Sequence, residues 1–243
     1  MARRSKNRLF NNKKELENED FQRKIDDKEE VNDIIIACED SVSSPAYFQE
    51  IVNKLIKNRV ITQDSFVIVP HNGHTNPLAI LENLKSYENK YGKKYNDFKH
   101  KWIVIDRDKG AHTEKQFNDA INLARSTKIE NHVEVAYAND SFELWYLLHF
   151  TAQSEFIHRK NINAKLLRII KKIDSRFKGL NKKKLKQQQY ISIIFNKILP
   201  YQEKAIQNAK ELLESYGTSH NPEKDNPSTT IHKLVELLNG LCR

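Results

Sequence analysis

Two aspartates, two residues apart, follow a short apolar segment of the chain. Trp102-Ile103-Val104-Ile105 ends in Asp106-Arg107-Asp108. Four apolar residues bounded by charges predict a buried strand of a parallel sheet, and open α/β sheets bind ligands beyond the carboxyl ends of such strands. Carboxylates in that position suit Mg²⁺ or Mn²⁺. The D-x-D spacing alone is shared by sugar-nucleotide transferases, phosphohydrolases and nucleases, and by surface loops without a role.

Polar residues also follow the other predicted strands. They are Glu39 and Asp40 after residues 34–38, His71 and His74 after residues 66–69, and Glu143 after residues 133–137. Because the carboxyl ends of parallel strands share one edge, we expect these acids to converge. Like charges about 4 Å apart repel by roughly a few kcal/mol, and a divalent cation removes that repulsion. The alternative is that Glu143 caps a helix, Asp40 opens a turn and the histidines are solvated.

Helical patterns separate the strands. They comprise an apolar stripe after Pro45, a start at Asn76-Pro77, residues 114–126, and an Asp140–Glu143 capping box that opens a helix through Leu148. Four alternations of strand and helix in about 120 residues predict an α/β fold with a mainly parallel four-stranded sheet flanked by helices. Beyond Thr151 the apolar spacing is helical, and a last helix is expected from Ser228.

Composition divides the chain into three predicted parts. Residues 1–30 are polar with segregated charges, which predicts a charged N-terminal arm. Residues 31–152 hold the alternating strands and helices and form the predicted catalytic domain. Residues 153–243 form a basic helical region that completes or flanks that domain.

The formal net charge of +9 lies in the C-terminal part. Residues 151–243 carry 18 Lys and Arg against 8 Asp and Glu, and residues 159–186 carry twelve basic residues against one acid. This density matches a polyphosphate partner such as nucleic acid, and the alternative is a solvated helix face. The expected contacts on the predicted helix are Lys165, Arg168, Lys171 and Lys172. His74 precedes a predicted helix start, where backbone amides bind anions, and is a further candidate for phosphate binding.

The compartment is predicted from what the chain lacks. No apolar run approaches the roughly 20 residues needed to cross a bilayer, and the basic residues after Met1 are followed by no apolar signal segment. Cys38 and Cys242 form no C-x-x-C pair, so neither a disulfide framework nor a zinc site is indicated. We therefore expect a cytoplasmic protein without a membrane partner.

Several stretches resemble known proteins. A Glu after the first strand with Asp-x-Asp after the third resembles the Toprim domain of topoisomerases, primases and nucleases of the overcoming-lysogenisation-defect type. Longer stretches resemble the RloB family, from about Ile34 to Leu238. They are Cys38-Glu39-Asp40, Gly73-His74-Thr75-Asn76-Pro77, Ile105-Asp106-Arg107-Asp108, the string from Asn139 to Phe150, and Asn226-Pro227-Ser228-Thr229-Thr230. After Glu39 the chain departs from the family, whose members often continue Gly-Glu-Lys-Thr-Glu.

The resemblance implies a Toprim-like nuclease that acts in bacterial phage defence. Glu39, Asp106 and Asp108 would be catalytic and would hold Mg²⁺ or Mn²⁺ together with Asp40, and Glu39 would alternatively serve as general acid or base. The residues expected to support them are Glu143, His71 and Asn139. The resemblance also implies an ATPase partner encoded nearby. This chain itself has no Walker A motif, so any use of ATP would have to come from that partner. Analogy with related Toprim effectors suggests transfer RNA as a target.

Other interpretations stay open at this point. The chain is alternatively a toxin-like effector that is inert without its partner, a receiver-like phosphotransfer domain with Asp106 as phosphoacceptor, or a binding module whose acids are structural. The pattern does not distinguish DNA from RNA or a monomer from a homo-oligomer.

Overall fold

The computed structural model describes residues 33–73, 76–108, 113–126, 132–181, 184 and 187–241. The predicted arm over residues 1–30 lies outside this range, as does His74. The strands are β1 Ile34–Cys38, β2 Phe66–Ile68, β3 His100–Asp106, β4 Glu134–Asn139 and β5 Ser228–Thr229. The helices are α1 Ser43–Lys57, α2 Pro77–Lys85, α3 Glu114–Arg125, α4 Glu143–Leu148, α5 Arg159–Ile173, α6 Gln188–Ile198, α7 Gln202–Glu214 and α8 Ile231–Gly240.

The strands form one sheet in the order β2-β1-β3-β4-β5. The first four are parallel, with Ile36 opposite Trp102 and Asp106 opposite Ala138. The prediction of a mainly parallel α/β sheet flanked by helices is thereby confirmed, and the arrangement is consistent with a Toprim-like fold. The sheet also has a fifth strand, since β5 pairs antiparallel with β4. The expected helix start at Ser228 is therefore wrong: Ser228 and Thr229 form β5, and the last helix begins at Ile231. Two residues are too short for a period-two pattern, so the sequence gives no signal for β5.

Apolar helices cover both faces of the sheet. On one face, Ile36 and Val104 pack against the apolar sides of α1 and α4 to α8. On the other face, Ile35 and Ile103 pack against α2 and α3. Burial on both faces explains why the parallel strands are continuously apolar instead of alternating. The helices that follow residue 153 therefore belong to the same apolar core as β1 and β3.

The predicted helix starts are partly correct. Asn76 caps α2, because its side chain accepts a hydrogen bond of 2.9 Å from the Leu78 amide. The capping box expected at Asp140–Glu143 is wrong: α4 begins at Glu143 and no side chain caps it. Asp140 is engaged elsewhere, since its Oδ2 accepts from the amide of Arg159 at 3.0 Å. Among the helices of the described ranges, none has both the length and the apolar character to span a membrane.

Candidate active site

The carboxylates of Glu39 and Asp106 meet at the carboxyl end of the sheet. The Glu39 amide continues the ladder between β1 and β3 by donating to the Val104 carbonyl at 2.9 Å. The Glu39 side chain then turns toward β3, where its Oε2 accepts from the Asp106 amide at 2.9 Å. Both residues are buried, with exposed fractions of 9 % and 7 %. Adjacent parallel strands thus place these two acids together, in the crevice where open α/β sheets bind ligands.

Arg159 links the two aspartates of the D-x-D pair. This first residue of α5 donates from Nη2 to Asp106 Oδ2 at 3.1 Å and from Nη1 to Asp108 Oδ2. Arg107, which lies between the aspartates in sequence, faces away from them and forms a buried ion pair of 2.6 Å with Glu223. The site therefore consists of three acids, and one guanidinium group contacts two of them.

Burial dominates the electrostatics of this group. It raises the pKa of Glu39 to about 8, with a further increase from the charge of Asp108, against the hydrogen bond from the Asp106 amide. Burial also raises the pKa of Asp106 well above its usual range, against the favourable charge of Arg159. Burial opposes the charge on Arg159, but the Asp106 and Glu143 carboxylates outweigh it and raise its pKa. One cation thus only partly compensates the buried acids.

Two further acids lie around the centre in different roles. Glu143, at the start of α4, is buried, and its charge acts on both Asp106 and Arg159. Asp40 is engaged by the backbone, since it accepts from the amides of Val42 and Ser44 at 2.8 Å each. The Asp40 carboxylate thus lies beside the first amides of α1, and its charge still acts on Glu39.

The sequence of this chain matches the family model described as RloB-like protein over residues 34–238. The chain belongs to the RloB-like family. Neither a curated protein nor a solved structure matches it. The match includes every residue of the acid centre in this RloB-like chain.

The predicted supporting residues have separate positions. His71 contacts the strand end directly, with its Nε2 2.8 Å from the Glu39 carbonyl oxygen. Asn139 is buried at the end of β4 and donates from Nδ2 to the Glu223 carbonyl at 3.0 Å. It therefore supports the segment that carries the partner of Arg107. Its role is thus in the loop that holds Glu223, and His74 lies outside the described residues.

Sequence reasoning missed Arg159 as part of the site. Within the basic run over residues 159–186, nothing distinguishes it from a solvated lysine or arginine. Its position depends on Asn226, whose Oδ1 accepts from the Ile157 amide at 2.9 Å and whose Nδ2 reaches Asn139 and Asp140 at 3.1 and 3.3 Å. The motif Asn226-Pro227 of the RloB-like chain was the available signal, but a sequence motif does not reveal which loop it holds.

Exposed cations continue from the acid centre along α5. Lys165, Arg168, Lys171 and Lys172 are all exposed, as their predicted role requires. Lys165 donates to the side chain of Gln153 at 3.1 Å, and within the described ranges none of the four forms an ion pair. The helix has 15 residues and is therefore about 22 Å long. This length corresponds to about six phosphates of one strand at 3.4 Å each.

The chemistry of the acids suits a divalent ion, but their present arrangement holds a guanidinium. Carboxylate oxygens are hard ligands, and Arg159 compensates these acids only in part, since burial raises the pKa of Glu39 and Asp106 despite its charge. Among the residues that the structure describes, no three or more His, Cys, Asp or Glu side chains are arranged to hold a metal ion. Because Arg159 contacts the Oδ2 atoms of Asp106 and Asp108, we expect an ion bound between these carboxylates to compete with it.

Proposed function

We propose that this RloB-like protein is a metal-dependent nuclease that hydrolyses phosphodiester bonds of DNA or RNA. One observation carries the proposal: buried acids at the carboxyl edge of a parallel sheet lie directly at the N-terminus of an exposed basic helix. Buried carboxylates whose charge is only partly compensated thus lie next to exposed cations of α5 that are available to bind anions. A phosphodiester with its metal ion satisfies both requirements, whereas a neutral ligand satisfies neither.

Asp106 and Asp108 would hold Mg²⁺ or Mn²⁺, with Glu39 as a further ligand. Both aspartates already attract a cation, since each contacts the guanidinium of Arg159. When bound, such an ion lowers the pKa of a nearby water and compensates charge on the scissile phosphate.

The residues of the chain would supply the remaining steps. Glu39, with a pKa of about 8, would accept a proton from the attacking water if it does not bind the ion. The water oxygen forms a bond to phosphorus, the bond to the leaving oxygen breaks, and that oxygen takes up a proton from solvent water. Arg159, once displaced from the aspartates, would bind a phosphate oxygen instead. Lys165 and Arg168 on α5 would bind phosphates farther along the strand.

Cleavage of plasmid DNA and total RNA with Mn²⁺ tests the proposal. Asp106→Asn and Asp108→Asn are expected to lower the rate by at least about a hundredfold, because each removes a charged ligand. Glu39→Gln separates the two roles of that residue: loss of a general base changes the pH profile, whereas loss of a ligand raises the metal requirement.

Asp64→Asn is the matched control. Asp64 is exposed and precedes β2, so it lies near the amino edge of the sheet. The Asp64→Asn variant should cleave nucleic acid as fast as the parent protein. If both D-x-D variants cleave as fast as this control, the acids have no catalytic role.

The proposal extends to a regulated effector in phage defence. Its support is the membership of the RloB-like family together with the implied partner ATPase, with transfer RNA as the first substrate to test. Co-expression with an ATPase encoded beside the gene should yield a complex by size-exclusion chromatography, and protection against phage should require Asp106. Full cleavage by the isolated chain, unchanged by the ATPase, would contradict partner control.

A binding module without catalysis is the second candidate. The observation that favours it is the bridge from Arg159 to both aspartates, which compensates part of their charge without an ion. This candidate predicts that millimolar Mg²⁺ or Mn²⁺ leaves the melting temperature unchanged, whereas the nuclease proposal predicts an increase.

A further inference from the structure

The segment before α5 alternates between buried and exposed side chains. Ile157 is buried at 3 % exposure, and its amide donates to Asn226 Oδ1 at 2.9 Å. Arg159 reaches inward to the aspartates. Between and before these two anchors, Phe156 is 59 % exposed and the side chain of His158 is 65 % exposed. The backbone is therefore fixed while two aromatic rings face solvent.

The two exposed rings contact each other, and His158 also lies beside Asp140. Phe156 and His158 pack edge to face, with ring centroids 4.6 Å apart and an interplanar angle of 89°. His158 Nδ1 lies 3.6 Å from Asp140 Oδ2, the same oxygen that accepts from the Arg159 amide. Arg159 follows Phe156 by three positions, which limits their Cα distance to about 11 Å.

An exposed aromatic ring beside a polar site offers a flat apolar surface on which a planar group can stack. Burial of a phenylalanine in the core contributes about 1.5–3 kcal/mol, and this one remains in water. The residues before it in the chain, Gln153 to Glu155, are polar. Three and four positions after it come two cationic residues, Arg159 and the exposed Lys160.

We infer that Phe156, with His158 against its ring, is a stacking platform for one unpaired nucleobase next to the cleaved phosphate. The inference rests on the proposed nuclease function and names its substrate class: single-stranded nucleic acid, or an unpaired loop or bulge. In a duplex the base is already stacked and paired, so it cannot stack on a protein ring without disruption of the helix. Aromatic rings bind unpaired bases with little sequence preference.

Fluorescence anisotropy in EDTA tests the platform without cleavage. The probes are a labelled single-stranded oligonucleotide of mixed sequence, the same backbone with abasic sites throughout, and a duplex of equal length. Phe156→Leu keeps the apolar volume and removes the π face, and should weaken binding to the first probe on the order of tenfold. Binding to the abasic probe should not change. Phe156→Trp should restore or strengthen binding.

Tyr91→Leu is the matched control, because Tyr91 is an aromatic residue at 80 % exposure in the loop that precedes β3. It should bind like the parent protein. The inference is overturned if Phe156→Leu binds the single strand like the parent, or if it loses equal affinity for the abasic probe. Retained nucleic-acid binding with loss of an ATPase complex would assign Phe156 to a protein interface instead. A parent protein that binds none of the probes would overturn the proposed function as well, which separates the two failures.

Discussion

Removal of Arg159 should make this protein less stable without metal and more responsive to metal. In Arg159→Met the hydrocarbon stem is largely kept, and the bridge between Asp106 and Asp108 is lost. The contact with Asp106 at 3.1 Å corresponds to about 5 kcal/mol of Coulomb energy at an effective dielectric near 20. The side chain is 26 % exposed, and its own burial cost disappears with it, so we expect a net loss of about 2 kcal/mol.

The same exchange sets the effect on metal affinity. In the parent protein we expect an ion to compete with Arg159 for the two aspartates, whereas in the variant this competitor is absent. A competition of about 2 kcal/mol weakens the apparent affinity about 30-fold, since 1.4 kcal/mol is a factor of ten. Arg159→Met should therefore melt about 4–8 °C lower than the parent in EDTA, at about 2–4 °C per kcal/mol. Its melting temperature should then rise at lower Mn²⁺ concentrations than that of the parent.

Differential scanning calorimetry over a Mn²⁺ series measures both effects. Arg176→Met is the control, because Arg176 lies just after the same helix, is exposed, and pairs with Asp174 away from the acid centre. It should respond to Mn²⁺ like the parent. A variant at position 159 that needs as much Mn²⁺ as the parent would refute competition between the guanidinium and the ion.

Three further predictions follow from the same contacts. The pKa of Glu39 is about 8 in the folded protein against an ordinary 4.5, so the metal-free protein should lose stability as pH rises from about 4.5 to 8. Glu39→Gln should flatten that decline in melting scans from pH 5 to 9. An equal decline in the parent and the variant would contradict the raised pKa of Glu39. Replacement of Lys165 and Arg168 by Gln should weaken the salt dependence of nucleic-acid binding. In anisotropy titrations, the slope of the logarithm of the binding constant against the logarithm of the salt concentration should fall by about 0.7–0.9 per lost phosphate contact. An unchanged slope would exclude α5 from the nucleic-acid interface. Glu223→Gln leaves the buried Arg107 without its charge partner, so urea unfolding should show a loss of about 3–5 kcal/mol, and a loss below about 1 kcal/mol would show that the pair is dispensable.

The parallel sheet was predictable because its signals are local. Residues 34–38 and 102–105 are continuous apolar runs, and their burial on both faces accounts for that pattern. Since β1 and β3 are neighbours in the sheet, the polar residues that follow them meet at one edge. The convergence of Glu39 and Asp106 therefore follows from strand order alone.

The remainder depends on contacts between distant parts of the chain. The D-x-x-E pattern at Asp140 matched a capping box, but Asp140 instead binds the Arg159 amide and the Asn226 side chain. No local pattern encodes that choice, since the competing partners lie 19 and 86 residues away. The same contacts position Arg159, which is why the cation of the site looked like any other residue of a basic run.

The central claim is that Asp106 and Asp108 exchange a guanidinium for a divalent ion. Anomalous diffraction at the manganese edge, from crystals of the full chain soaked in Mn²⁺, measures this directly. A peak within bonding distance of both carboxylates, with Arg159 turned away from them, is the expected result. Diffraction that shows Arg159 still bound to both aspartates, and no peak beside them at saturating Mn²⁺, would contradict it.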